Sequence, residues 1–179
     1  MVHNERDEIL LVQERQSTVA RKWKFPGGLA NFQEDIDDAI TREIMEETGI
    51  RSTFQSVIGF RHQHNVKFGG SSTDCLISDL YIVCRLTVND EEAAQQIEMC
   101  QNEIYDAQWI PLKHFVEEMD SWPINKEFAG VLYENLRNRA KREGTLNEMK
   151  LPCDLSITQL SSVAVPGSKY KLFRSKGAE

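Results

Sequence analysis

Three glutamates within five positions constrain this chain more than any other feature in it. Arg42-Glu43-Ile44-Met45-Glu46-Glu47 is closed by Gly49-Ile50 and ends the run GLANFQEDIDDAITREIMEETGI, Gly28 to Ile50. As a helix, it sets Glu43, Glu46 and Glu47 at i, i+3 and i+4, on one face. Each follows an apolar residue (Ile36, Ala39 and Ile40) by seven positions, about two turns. The carboxylates are therefore expected to continue the buried stripe. They also occupy the last turn, where the helix dipole disfavours negative charge. Two readings compete. One is a solvated acidic face ended by a glycine cap. The other is an inward-leaning cluster that needs a cation, and a hard divalent ion prefers oxygen ligands. The alignment with the apolar stripe favours the second. Asp35, Asp37 and Asp38 suit the positive end of the same helix, and Gly49 is its expected C′ residue.

The stretch resembles the signature of the Nudix hydrolases, a glycine and a glutamate ahead of Arg-Glu-aliphatic-x-Glu-Glu-x-Gly-aliphatic. Gly28, Glu34, Arg42, Glu43, Ile44, Glu46, Glu47, Gly49 and Ile50 fill every specified position. Further on, Phe60-Arg61, His64, Phe68, Ser78-Asp79-Leu80-Tyr81, Cys84 and Leu86 are similar to one subgroup. That subgroup holds the animal antisense basic fibroblast growth factor protein and plant hydrolases acting on ADP-ribose and NADH. The resemblance implies an α+β fold, an α/β/α sandwich with a mixed sheet between helices. It implies hydrolysis of a nucleoside diphosphate linked to another moiety, with Mg²⁺ or Mn²⁺ as cofactor. ADP-ribose and NADH are the first substrates to consider. A Nudix-fold binding module with little turnover, and a hydrolase of capped RNA ends, are the competing readings.

Residue by residue, the resemblance makes Glu46 and Glu47 the main metal ligands and Glu43 a ligand or general base. Arg42 would orient neighbouring carboxylates through charge-assisted hydrogen bonds rather than touch phosphate. Glu34 and Gly49 support the motif, as does Gly28. The Pro26-Gly27-Gly28 turn stops regular structure and lets backbone approach a ligand; it reads equally as a tight corner. The resemblance gives the Gly27 carbonyl to the metal. Glu103 falls where some relatives carry a further ligand, or is an exposed strand-end residue. His62 and His64 alternate along a strand end and can face one side, as substrate contacts or simply as a histidine pair.

A chain of 179 residues has room for one sizeable core. We expect a Nudix domain over 1–145, its first strand shortened, and a C-terminal extension over 146–179 packing on it. The formal net charge of −7 disfavours non-specific binding to nucleic acid or anionic membrane. The expected partners are a small nucleotide and a second copy in a homodimer, with no membrane. Cys75, Cys84, Cys100 and Cys153 show no paired spacing, which fits reduced thiols. With no apolar run of spanning length and no basic-apolar leader, the expected compartment is the cytoplasm.

In chain order, Asn4–Asp7 reads as a turn and Glu8–Glu14 as a buried strand. The box helix follows, then strands near Thr53–Arg61, Ser78–Thr87 and Tyr105–Ile110, with a loop or short helix over Asn89–Gln96. Leu112–Met119 fits a short helix. Pro123 opens a longer one, ending in the basic run Arg137–Arg142, which suits a helix C-terminus. Tyr170–Phe173 closes the pattern as a strand.

Overall fold

The computed structural model describes residues 1–16, 21–67, 76–88, 96–141, 155–161 and 169–175. The chain forms two compact units, residues 1–56 with 84–133, and residues 57–83 with 134–179.

In the first unit, β1 (Val2–His3) pairs antiparallel with β2 (Glu8–Glu14), through His3 opposite Ile9, and parallel with β4 (Leu76–Thr87), through Val2 opposite Leu86. On its other edge β2 runs antiparallel to β5 (Ile104–Pro111). The order is β5-β2-β1-β4, a mixed sheet. The two-residue β1 thus takes the slot between β2 and β4. Asn4 makes the tight return: its Oδ1 accepts from the N–H groups of Arg6 and Glu8.

Four consecutive residues of β2, Ile9, Leu10, Leu11 and Val12, are fully buried. A strand without alternation is covered on both faces, and this one carries the core with Phe25, Ile44, Ile50, Leu86, Ile104, Phe115 and Phe128. Of these, Ile44 comes from α1 (Ile36–Thr48), Phe115 from α2 (Leu112–Glu117) and Phe128 from α3 (Pro123–Lys141). After β2 the chain returns antiparallel to it. Val12 and Lys24 exchange both backbone hydrogen bonds, at 2.9 and 3.0 Å, which delivers the Pro26-Gly27-Gly28 turn to the end of the sheet.

In the second unit, β3 (Thr53–Lys67) pairs antiparallel with β7 (Lys169–Ser175), from Gly59 opposite Arg174 to His62 opposite Lys171. A further strand, β6 (Leu155–Ser161), pairs with β7 in turn. So Tyr170–Phe173 is a strand as expected, and the 146–179 segment contributes two strands rather than one. Strand β3 runs six residues beyond the expected Arg61 and contains both histidines. The Asn89–Gln96 reading falls, except for Gln96, outside the described residues. No helix among the described residues is long and apolar enough to cross a membrane.

Candidate active site

Helix α1 ends as its sequence requires. Gly49 adopts φ 70°, and its N–H bonds the Met45 carbonyl. The carbonyls of Glu47 and Thr48, which have no partner within the helix, accept the N–H groups of Cys100 and Glu98 at 3.0 and 2.9 Å. The 98–100 segment thereby fixes the turn that carries the glutamates. A Cβ on Gly49 would lie 2.9 Å from the Glu98 Cβ, so glycine is required for space as well as for φ.

The three glutamates part company. Of the helix residues, Ala39, Ile44, Glu47 and Thr48 are buried, whereas Ile36 is 44% exposed. The expectation that all three carboxylates continue a buried stripe is corrected: Glu47 alone lies on the buried face. Glu43 stands half-buried at its margin and Glu46 is exposed. A seven-residue step falls about 20° short of two full turns, and Ile36, in the first turn, already lies outside the covered face.

Glu47 is only 4% exposed, and its Oε2 accepts the Gly27 N–H at 2.8 Å. Burial lifts its carboxyl to about 7, with Glu43 and Glu14 pushing in the same direction and Lys24 and the Gly27 hydrogen bond opposing. Lys24 is itself paired with Glu14. Neither Glu14 nor Lys24 stands out in the sequence. The only signal is a charged residue closing the apolar run of β2, and its proximity to Glu47 is a product of the Val12–Lys24 bridge.

Arg42 organises the rest. Its Nε donates to Glu34 Oε1 at 2.7 Å and its Nη2 to Glu34 Oε2 at 2.9 Å, a bidentate pair. Nη1 donates to Glu43 at 2.9 Å and to Glu46 at 3.0 Å, and Nη2 also reaches the Leu29 carbonyl at 3.1 Å. All five guanidinium N–H groups are thus engaged. The Arg42 contact holds the Glu34 carboxyl down at about 2, helped by the Asn31 N–H. Glu34 thereby ties the loop before α1 to the helix, and Arg42 sets both Glu43 and Glu46. Gly28 lies against Glu43: an added Cβ would fall 2.5 Å from its Oε2.

Among the described residues, no three His, Cys, Asp or Glu side chains are gathered into a metal-holding group. The donor chemistry nonetheless fits a hard divalent cation. The oxygens of Glu47 and Glu43 adjoin the glycine turn, and burial makes the ionised Glu47 carboxylate costly, with Lys24 and the Gly27 N–H offsetting part of that cost. Glu103 is exposed in the turn ahead of β5, its carbonyl accepting the Arg15 N–H at 2.8 Å. His62 and His64 belong to the second unit. Their rings meet edge to face at 4.3 Å, so they do share one side of β3, and His64 Nδ1 lies 2.8 Å from Ser78 Oγ.

The model of the NUDIX domain matches residues 1–129. The chain belongs to the Nudix family. Among Nudix relatives, it is 34% identical over 168 residues to nucleoside diphosphate-linked moiety X motif 6 of Mus musculus, aligning 93% of this chain with 46% of that protein. It is 38% identical over 119 residues to Nudix hydrolase 8 of Arabidopsis thaliana, 65% of this chain and 29% of the relative. The chain thus spans less than half of either protein. Among solved structures, an Ap4A hydrolase of C. elegans in a binary complex superposes with a TM-score of 0.54 at 15% identity, covering 76% of this chain and 93% of that one. The likeness bears out the expected Nudix fold, with its mixed sheet and helices.

Proposed function

We propose that this protein hydrolyses a nucleoside diphosphate linked to another moiety, in a reaction dependent on Mg²⁺ or Mn²⁺, with ADP-ribose and NADH the first substrates to test. One observation carries the reading. The most buried carboxylate of the motif, Glu47, is fastened to Gly27, while Glu43 packs on Gly28. Two acidic side chains are thereby fixed at a turn whose backbone a ligand can approach.

Glu47, Glu43 and the Gly27 carbonyl would hold the cation, with Glu46 the more exposed oxygen donor and Glu103 a further one. Bound there, a divalent ion neutralises phosphate charge and acidifies a coordinated water. The chain's own residues supply positioning. Arg42, all of its donors engaged, orients Glu43 and Glu46 and leaves phosphate to other groups. Glu43 serves as ligand or accepts the proton of the attacking water. Glu34 keeps the loop in register with α1.

The test is a panel of ADP-ribose, NADH and related dinucleotides incubated with Mg²⁺, with release of AMP followed. Turnover lost on adding EDTA and in Glu46→Gln and Glu47→Gln supports the proposal. Tight nucleotide binding by calorimetry without any product overturns it.

A further inference from the structure

Strands β2 and β5 do not pair evenly. Gln13 faces Asp106, but the next residue, Glu14, faces Ile104, so Tyr105 is the extra residue of a β-bulge. Bulges re-aim a side chain, and this one leaves Tyr105 45% exposed. Two arginines from the other side of the ladder converge on its ring. The Arg21 guanidinium carbon lies 3.9 Å from the ring centroid and that of Arg15 at 6.0 Å. Both are held at the backbone. Gln13 Nε2 bonds the Arg21 carbonyl at 2.8 Å, and the Arg15 N–H bonds the Glu103 carbonyl.

Among the described residues, neither guanidinium forms an ion pair; the Arg15 head has one long contact, 3.4 Å to Gln101. The nearby acids are otherwise occupied or turned out: Glu14 is paired with Lys24, Asp106 accepts from Gln108, and Glu103 is exposed. A single arginine on an exposed ring is ordinary surface packing. Two guanidiniums on one bulged ring, neither in an ion pair among the described residues, in a chain of net charge −7, need a further reason. A guanidinium stacked on a ring keeps its in-plane N–H fork free, and that fork matches phosphate oxygens.

We propose that Arg15 and Arg21, braced on Tyr105, form a phosphate-binding site. Its occupant is a phosphate group, carried by a nucleotide or free as pyrophosphate. The proposal does not rest on the hydrolase reading, so it is tested without turnover. The full chain, in EDTA, is titrated with inorganic pyrophosphate and then with AMP and ADP, while the ¹⁵N resonances of the arginine Nε–H groups are followed.

Expected are saturable shifts of Arg15 and Arg21. Arg21→Gln weakens binding at least tenfold. Arg21→Lys, which keeps the charge without the fork, and Tyr105→Leu, which keeps both charges without the platform, each weaken it several-fold. Lys22→Gln, at a neighbouring cation paired with Asp120, leaves affinity unchanged. Tighter binding of ADP than of pyrophosphate identifies the nucleotide as the source, and the reverse identifies the free anion. Shifts that never saturate, or affinity equal in wild type and Arg21→Gln with the fold verified by circular dichroism, overturn the proposal.

Discussion

At the scale of single residues, the site is a balance of charges at Glu47 and Arg42. Arg42 gathers three carboxylates in the half-exposed region, where a guanidinium can serve several acceptors. Glu47 is left with the Gly27 N–H and Lys24 against burial, Glu43 and Glu14. Its folded-state pKa is raised, so the neutral acid is favoured in the fold. Without metal, stability then falls as pH rises from about 4.5 through about 7, because the folded state must give up a proton that the unfolded state has already lost. Glu47→Gln removes that cost. In EDTA at pH 8 the variant is expected to be more stable than wild type by about 1–3 kcal/mol, and by almost nothing at pH 4.5. Urea unfolding at the two pH values checks this; a variant less stable at pH 8 contradicts it.

At the scale of elements, α1 was legible because its ends are chemically marked, by Asp35, Asp37 and Asp38 at one and Gly49 at the other. Its orientation was not, since a stripe of three apolar residues does not say where the sheet stops covering it. Strand β3 passes the expected Arg61 unmarked, because Phe60–Asn65, with two histidines and little apolar alternation, gives no local signal of a strand; its neighbours in the sheet are β4 and β7, and His62 pairs with Lys171 of β7, remote in sequence. Strand β6 pairs with β7, and no motif marked it. The bulge at Tyr105 and the approach of Glu14 to Glu47 arise from register and bridging, which no local pattern encodes. The 98–100 segment that caps α1 gives the clearest prediction at this scale. Gly49→Ala must adopt a left-handed conformation costing about 1–2 kcal/mol, and its Cβ meets Glu98. A loss of at least that size in urea unfolding is expected, with weaker Mg²⁺ dependence of turnover because the Glu47 turn shifts. An unchanged unfolding midpoint would show that the cap is slack.

At the scale of the whole molecule, the short β1 carries more than its length suggests. Val2 and His3 pair with both β2 and β4 in the first unit, and both are buried. His3 Nε2 has no hydrogen-bond partner among the described residues. Burial first, then Arg85, lowers its pKa from 6.5 to about 4. The folded state thus keeps the ring neutral. The unfolded state takes up a proton below pH 6.5, so stability is lost as pH falls from 6.5 to about 4, by about 3 kcal/mol at the limit. His3→Gln is expected to flatten the wild-type slope over that window, read from unfolding midpoints at half-unit pH steps. Parallel profiles for the two proteins would place the acid sensitivity elsewhere.

The most direct test of the whole account is the Mg²⁺ dependence of ADP-ribose hydrolysis in wild type and Glu47→Gln. Saturable activation in wild type is expected, with kcat at least a hundredfold lower in the variant and a fold that circular dichroism finds intact. Turnover that Glu47→Gln leaves unchanged, or that persists in EDTA, would contradict a cation held by Glu47.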